Sequence, residues 1–390
     1  MKIPMSAPDI GESERQAVAA VLHTPRLSMG PQVEAFEASM AHYLGARHAI
    51  AASSGTAALH LCVRAAGIRD GDLVITTPFS FVASANVLLY ERAIPVFVDV
   101  DPRTGNLDPI RVAEAAAGLA GSSAARWLPR LGAERPGELR AILAVDVFGQ
   151  PADYDRLLAT AQAHGLSLIE DASESLGAHY RGRPAGRFGD AAAFAFYPNK
   201  QLTTGEGGMV VTERDDWAER IQALRNQGRA SGDSWLQHTY PGYNYRLDEM
   251  SAALGLAQAE RLEELLTKRD RVAGWYQEQL DGLPGIELPW IAAETTRMSW
   301  FVYVIRLGPG LDRPRLMAEL ESKGIPSRAY FEPIHWQPYM VERFGFQVGD
   351  FPVAEDLGRR SLALPFSGVM PGEQVEYVAA GLREAIERIG

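Results

Sequence analysis

Lys200 stands in the stretch Phe194-Ala195-Phe196-Tyr197-Pro198-Asn199-Lys200-Gln201-Leu202-Thr203-Thr204-Gly205-Glu206-Gly207-Gly208-Met209-Val210-Val211. Small and aromatic residues suited to burial precede it, and a polar loop and a glycine cluster lead on to a second apolar run. The pattern predicts a lysine presented from a loop between two buried strands. Taking an ammonium group out of water lowers its pKa, and a neutral amine attacks carbonyls. A lysine beside glycines also fits an ordinary solvated turn, so its chemistry depends on its company.

Three further stretches supply that company. In Ala51-Ala52-Ser53-Ser54-Gly55-Thr56-Ala57-Ala58-Leu59-His60 an apolar strand passes through a Ser/Gly/Thr turn directly into a helix. The first helical turn has free N–H groups and the positive end of the dipole, and Gly55 lets an anion come close, so a phosphate fits there. A plain N-cap by Ser54 or Thr56 explains the same residues equally well. In Leu168-Ile169-Glu170-Asp171-Ala172-Ser173-Glu174 the carboxylate of Asp171 falls at the carboxyl end of a buried strand, the edge where open α/β sheets bind ligands. A buried carboxylate needs a partner, and a protonated pyridine nitrogen is a suitable one. Asp171 and Glu174 are also spaced as a capping box, which on this stretch alone is the stronger explanation. Finally, Thr76-Thr77-Pro78-Phe79-Ser80-Phe81-Val82-Ala83-Ser84-Ala85-Asn86 places aromatics after another strand, where a ring either stacks on a flat ligand or packs into the core. A phosphate seat, a stacking surface, a carboxylate and a lysine, in that order on one scaffold, together fit one cofactor, pyridoxal phosphate (PLP).

Such residues need a sheet to hold them, and the apolar pattern predicts one. Short strands over 48–52, 73–77, 95–100, 141–148 and 166–170 alternate with helices over 56–66, 80–90 and 153–164. Near-continuous Val, Ile and Leu in the strands means a parallel sheet covered on both faces, an α/β fold. Helices over 10–22 and 33–44 come first, separated by the break Leu27-Ser28-Met29-Gly30-Pro31. The Ala- and Gly-rich segment 110–139 predicts a helix followed by a surface loop. A long helix over 248–272 leads out of the large unit. A strand over 300–307 and helices over 313–323 and 373–389 then form a smaller α+β unit. The expected division is a large domain over 1–255 and a small one over 256–390.

The 390 residues leave room for two or three domains with ample cores. Apolar content of 46% and charged content of 22% are those of an ordinary globular chain. A net charge of -11 argues against nucleic acid or an anionic membrane as partner, while a few local arginines would still suffice for a small anionic substrate. Cys62 is the one cysteine, so neither an intrachain disulfide nor a cysteine-based zinc site is available, and no metal is expected. The opening residues, Met1 to Pro8, lack the apolar core of a signal peptide, and no apolar run is long enough to cross a bilayer. The expectation is a cytoplasmic protein.

The chain resembles the DegT/DnrJ/StrS family of sugar aminotransferases, which have the fold type I architecture of PLP enzymes. The likeness spans Ala7 to Glu12, Phe36-Glu37, Ser53 to His60, Pro78 to Asn86, Glu170-Asp171-Ala172, Asn199 to Gly208, and Gly242-Tyr243-Asn244-Tyr245-Arg246-Leu247-Asp248-Glu249-Met250. The resemblance implies that Lys200 forms the internal aldimine, Asp171 pairs with the pyridine nitrogen, Phe81 stacks on the ring, and Gly55 and Thr56 hold the phosphate. It implies a homodimer in which Asn244 reaches the partner's phosphate, although Asn also suits a plain turn. It places Glu174 beside the cofactor and His335 near the sugar. Two positions depart from the family's usual pattern. Ala195 stands five residues before the lysine, where a phosphate-binding serine is common, and Glu174 stands where Gln or His is common. The run Glu174-Ser175-Leu176-Gly177-Ala178 looks more like the branch that aminates 4-keto-6-deoxy sugars, such as the perosamine synthases.

The implied reaction is amino transfer in two halves. Glutamate gives its amino group to the cofactor, leaving pyridoxamine phosphate, which aminates a nucleotide-linked 4-keto-6-deoxyhexose. The alternatives are a 3-keto sugar or a cyclitol ketone as acceptor, or a PLP-binding regulatory protein without turnover.

Overall fold

The computed structural model describes residues 3–121 and 123–389. Met1, Lys2, Ser122 and Gly390 lie outside the described residues, and with them the first two positions of the stretch read for a signal peptide, one of the 110–139 loop, and the outer ends of the two expected domains.

Helices α1 (Glu12–Leu22) and α2 (Pro31–Leu44) open the chain. A run of alternating elements follows: β1 (His48–Ala52), α3 (Gly55–Ala65), β2 (Leu73–Thr76), α4 (Ala83–Tyr90), β3 (Ile94–Phe97), α5 (Pro109–Ala120), β4 (Leu139–Val145), α6 (Tyr154–His164) and β5 (Ser167–Asp171). Then come β6 (His179–Tyr180), β7 (Arg183–Pro184), β8 (Ala191–Ala195), β9 (Gly208–Thr212), α7 (Asp215–Arg225), α8 (Glu249–Ala259) and α9 (Leu262–Leu280). The remainder is β10 (Ile286–Glu287), β11 (Thr295–Arg297), β12 (Tyr303–Leu307), α10 (Arg313–Ser322), β13 (Arg328–Ala329), α11 (Pro338–Phe344), α12 (Pro352–Arg360), β14 (Ser361–Leu364) and α13 (Gly372–Ile389).

The main sheet has the order β1-β9-β8-β5-β4-β2-β3. β9 runs antiparallel to both its neighbours, and every other pairing is parallel. The carboxyl ends of the other six strands therefore share one edge with the start of β9. Gly208 pairs with both Ala52 and Ala195 there, and Asp171 pairs with Val145. The strands are buried on both faces, as expected of a helix-covered α/β sheet. A second, antiparallel sheet, β10-β12-β14-β13, packs with α9, α10 and α13 around its own core, which includes Tyr276, Tyr303, Leu362 and Leu382.

The helices start where the side chains allow. Asp108 caps α5 through Ile110 N–H, Asp312 caps α10 through Arg315 N–H, and Gly45 ends α2 in the left-handed region at φ 64°. The start of α2 is closed from another element. The carboxylate of Glu249, at the first turn of α8, accepts the N–H groups of Gly30, Gln32 and Val33 at 2.8, 2.9 and 3.1 Å. Asp248 meanwhile caps α8 itself.

Three expectations need correction. The single helix over 248–272 is two helices, because Arg261 leaves helical geometry (φ -121°, ψ 23°) and turns its guanidinium to Asp9 and Glu14. The two helices meet at Glu260-Arg261. The helix over 80–90 begins only at Ala83, since Thr77 Oγ1 accepts Phe79 N–H and holds a turn before it. The strand over 300–307 begins only at Tyr303. Among the described residues no helix is long and apolar enough to cross a membrane, and Cys62 is buried and free.

Candidate active site

At the shared strand edge lies a cavity of about 440 Å³. It brings together six of the residues singled out from the sequence: Gly55, Thr56, Phe81, Asp171, Glu174 and Lys200. They come from four connections, those after β1, β2, β5 and β8, and only the sheet makes them neighbours.

The helix turn after β1 presents its first N–H groups to the cavity. Ser54 is the N-cap, and its hydroxyl accepts Ala57 N–H at 3.1 Å. The N–H groups of Gly55 and Thr56 have no intrahelical acceptor and face an anion-binding position. The cap and the phosphate seat are thus compatible features of one turn. Gly55 also has a packing reason: a Cβ there would lie 2.4 Å from the Cβ of Ala195. Helix α3 can rest against β8 only because both positions are small.

Asp171 ends β5, and its carboxylate is held from two sides. Oδ2 accepts the Ser84 hydroxyl at 2.7 Å, with Ser80 a further 3.0 Å from Ser84, and Oδ1 accepts Ser173 N–H at 3.2 Å. No helix follows, so the capping-box explanation of Asp171 and Glu174 is overturned. The chain pairs once more with β8, through Ala172 N–H and the Ala193 carbonyl, and then turns at Ser175. Glu174 reaches elsewhere: its Oε2 accepts Phe148 N–H at 2.8 Å and its Oε1 lies 3.7 Å from Lys200 Nζ.

The lysine projects from the connection between β8 and β9, as its flanking runs predict. Its Nζ is 3.8 Å from the centre of the Phe301 ring, and its side chain is only 13% exposed. Burial pushes the amine below the usual lysine range, and the charges of Glu174 and Asp171 pull it back only in part. Burial conversely raises the carboxyl of Glu174, against the pull of Lys200 and of Phe148 N–H. Both shifts have one cause, burial at the base of the cavity, which weakens the charged form of each group.

Phe81 is 62% exposed, so its ring face is open to a ligand, whereas Phe79 is a core residue set edge-on to Phe148 and Phe331. His335 is a correction. It is fully buried, with Nε2 3.1 Å from Glu355 Oε1 and its ring edge-on to Phe351, and it does not line the cavity. The short helical turn Ile334–Trp336 carries it into the packing against 346–355, and Tyr330 and Phe331 of the same segment line the cavity instead. Asn244 is exposed and lies outside this chain's cavity, its backbone bridging Asn226. Its neighbours Tyr243 and Tyr245 stack at 4.8 Å and bond Glu91 and His60.

Sequence reasoning missed Tyr197, Ser84, Phe301, Tyr330 and Phe331 as parts of this site. Ser84 and Tyr197 lie within the quoted motifs and could have been found there. The others come from distant segments and carried no local signal. Among the described residues no His, Cys, Asp and Glu cluster could hold a metal ion. A buried amine, a fixed carboxylate, an open aromatic face and free helix N–H groups around one cavity fit PLP in donor chemistry and in order.

A model of the DegT/DnrJ/EryC1/StrS aminotransferase family matches residues 8–383. The chain is 38% identical to a GDP-perosamine synthase of Caulobacter vibrioides over 99% of this chain and 98% of that protein. It is 36% identical to dTDP-3-amino-3,4,6-trideoxy-alpha-D-glucose transaminase of Streptomyces venezuelae, over 96% and 92% of the two chains. Its structure resembles that of S. venezuelae DesV, solved in complex with a ketimine intermediate, with a TM-score of 0.87, 34% identity and full coverage of both chains (100% and 100%).

Proposed function

The chain belongs to the DegT/DnrJ/EryC1/StrS aminotransferase family, and from that premise we propose that it moves an amino group from glutamate to a nucleotide-linked 4-keto-6-deoxyhexose, as a cytoplasmic homodimer. It is a PLP-dependent aminotransferase. The observation that supports the amino-transfer chemistry is one cavity shared by the Lys200 amine, the Asp171 carboxylate and the start of α3. PLP, when bound, supplies a carbonyl for an amine and a ring that withdraws electrons from the substrate carbon.

The protein's own residues do the rest. Lys200, its amine kept below the usual range by burial, would hold the cofactor by its carbonyl and would serve as the base that moves a proton at the substrate carbon. Asp171, steadied by Ser84, would hold the ring nitrogen and keep a proton there. Gly55 and Thr56 would hold the phosphate by their N–H groups, and Ala195 adds no hydroxyl to that seat. Phe81 would stack on the ring, Glu174 stands beside Lys200 and tunes its amine, and Asn244 would serve the partner's site. Tyr197, Phe301, Tyr330 and Phe331 exclude water. The division into a cofactor-binding unit over 1–255 and a smaller one over 256–390 belongs to this proposal, with the break at Glu260-Arg261 as its support.

Likeness to the Caulobacter GDP-perosamine synthase and the run Glu174 to Ala178 support a 4-keto acceptor. The S. venezuelae relative, named for a 3-amino sugar, favours a 3-keto acceptor as the second reading. The test is the visible spectrum of the protein with PLP, before and after glutamate, followed by a panel of nucleotide-linked 4-keto and 3-keto sugars. The expected result is a visible band that bleaches with glutamate and returns on adding the 4-keto sugar. Lys200→Ala should remove both band and turnover without unfolding the chain. Retained turnover in that variant would sink the assignment of Lys200, and return of the band with only a 3-keto sugar would favour the second reading.

A further inference from the structure

Arg269 of α9 is 4% exposed, and no carboxylate among the described residues partners it. A buried cation normally pairs with an anion, because desolvation alone is costly. Here the guanidinium instead donates to four backbone carbonyls. Nη2 reaches Asn199 and Lys200 at 3.0 and 2.6 Å, and Nη1 reaches Trp300 and Phe301, each at 3.2 Å. The first pair belongs to the lysine and its predecessor, the second to the residue whose ring covers the lysine amine at 3.8 Å and its predecessor.

We propose that Arg269 is a positioning residue for the amino-transfer reaction, a planar clamp that fixes Lys200 and its aromatic cover Phe301 in one register. The proposal rests on the reading of Lys200 as the cofactor-bearing lysine. Three features argue for it. Only guanidinium has the rigid fork of donors that can hold two carbonyls on each of two segments, whereas an ammonium is a single point. The segments it joins are about a hundred residues apart and share no strand pairing, so the clamp is a direct tie between them. The charge costs enough that burial pushes its pKa down to about 10, so a structural neutral residue would be the cheaper occupant of a purely packing position. The same charge also opposes protonation of Lys200. Gln201 adds a second tie, through its amide to the Glu174 carbonyl and the Ser299 hydroxyl, but it does not touch the lysine's own carbonyl.

The test compares Arg269→Lys and Arg269→Met in the full PLP-bound chain with wild type. Three readouts are needed: far-UV circular dichroism, amide hydrogen exchange over 198–204 and 299–302, and the rate at which glutamate bleaches the visible band. The expected result is a folded Arg269→Lys protein with faster exchange in both segments together, unchanged exchange in β4 and β5, and bleaching slowed about tenfold or more. Keeping the charge should not rescue it. Wild-type bleaching and exchange in Arg269→Lys would overturn the clamp, since charge alone would then be the requirement. Wild-type values in both variants would overturn any positioning role, and failure of both to fold would make Arg269 a residue of the fold and not of the site. A wild-type protein that forms no visible band would count against the reading of Lys200, while the exchange data would still decide the clamp.

Discussion

Lys200 and Glu174 form a pair whose two shifts have the same origin. Burial lowers the amine and raises the carboxyl, so each partner resists its charged form; their mutual attraction opposes this, helped by Asp171 at the amine and by Phe148 N–H at the carboxyl. Glu174→Gln removes the anion that pulls the amine upward, so the Lys200 pKa should fall further. Measured as the pH dependence of acetylation at Lys200 by mass spectrometry, the midpoint moves to lower pH. An unmoved midpoint would mean that Glu174 is already uncharged beside the amine across that range. The sign for stability follows. Because the folded amine titrates below the ordinary lysine value of 10.5, the unfolded chain takes up its proton first as pH falls. The Lys200 contribution is therefore present above that value and is lost as pH falls through the folded pKa. At this scale type and spacing pointed to Lys200, Asp171, Gly55 and Phe81, which the structure brings to one cavity. His335 was not, because a lone histidine carries no mark of which side of its segment it faces, and here that side meets Glu355. Arg269 was illegible for a related reason, since its partners are carbonyls and any residue has one.

Among the elements, strand positions were readable because runs such as 141–145 and 191–195 can only be buried. The direction of β9 was not, for an apolar run reads alike in either direction. The break between α8 and α9 was hidden by heptad-like apolar spacing that continues across it, and only the distant acids Asp9 and Glu14 give Arg261 a reason to leave the helix. Helix α7 escaped notice for its mostly polar face, and β14 because four residues carry no periodicity. The join of α2 to α8 is testable at this level. Glu249 closes three N–H groups of another helix while 1% exposed, so Glu249→Ala should destabilise the first turn of α2 by about 1–2 kcal/mol, since a lost cap leaves buried donors unpaired. Amide exchange at 30–33 measures it directly. Unchanged protection there would show that water replaces the carboxylate without cost.

For the whole molecule the open question is which cavity Asn244 serves. It is exposed here and does not line the lysine's cavity, and Phe81 and Tyr197 leave apolar surface at the cavity mouth. If Asn244 completes a partner's site, Lys200→Ala and Asn244→Ala proteins, each inactive alone, should regain about a quarter of the wild-type sites when refolded together at equal amounts, because each mixed dimer keeps one intact site. Assays of the mixture and of each parent decide it: no recovery would assign Asn244 to its own chain's site, and full activity of the Asn244→Ala parent would place it outside the reaction. The sheet order has one more consequence. Because β9 inserts between β1 and β8, and the cavity wall runs from Ser54 to Phe331, the earliest and latest contributors are separated by most of the chain. On a ribosome adding about 5–20 residues per second, the first part of the phosphate seat waits roughly 15–55 seconds for the last aromatic of the wall. The vitamin-derived cofactor can therefore be captured in its finished setting only near the end of synthesis, and its uptake is a natural stopwatch for completion of the nascent protein.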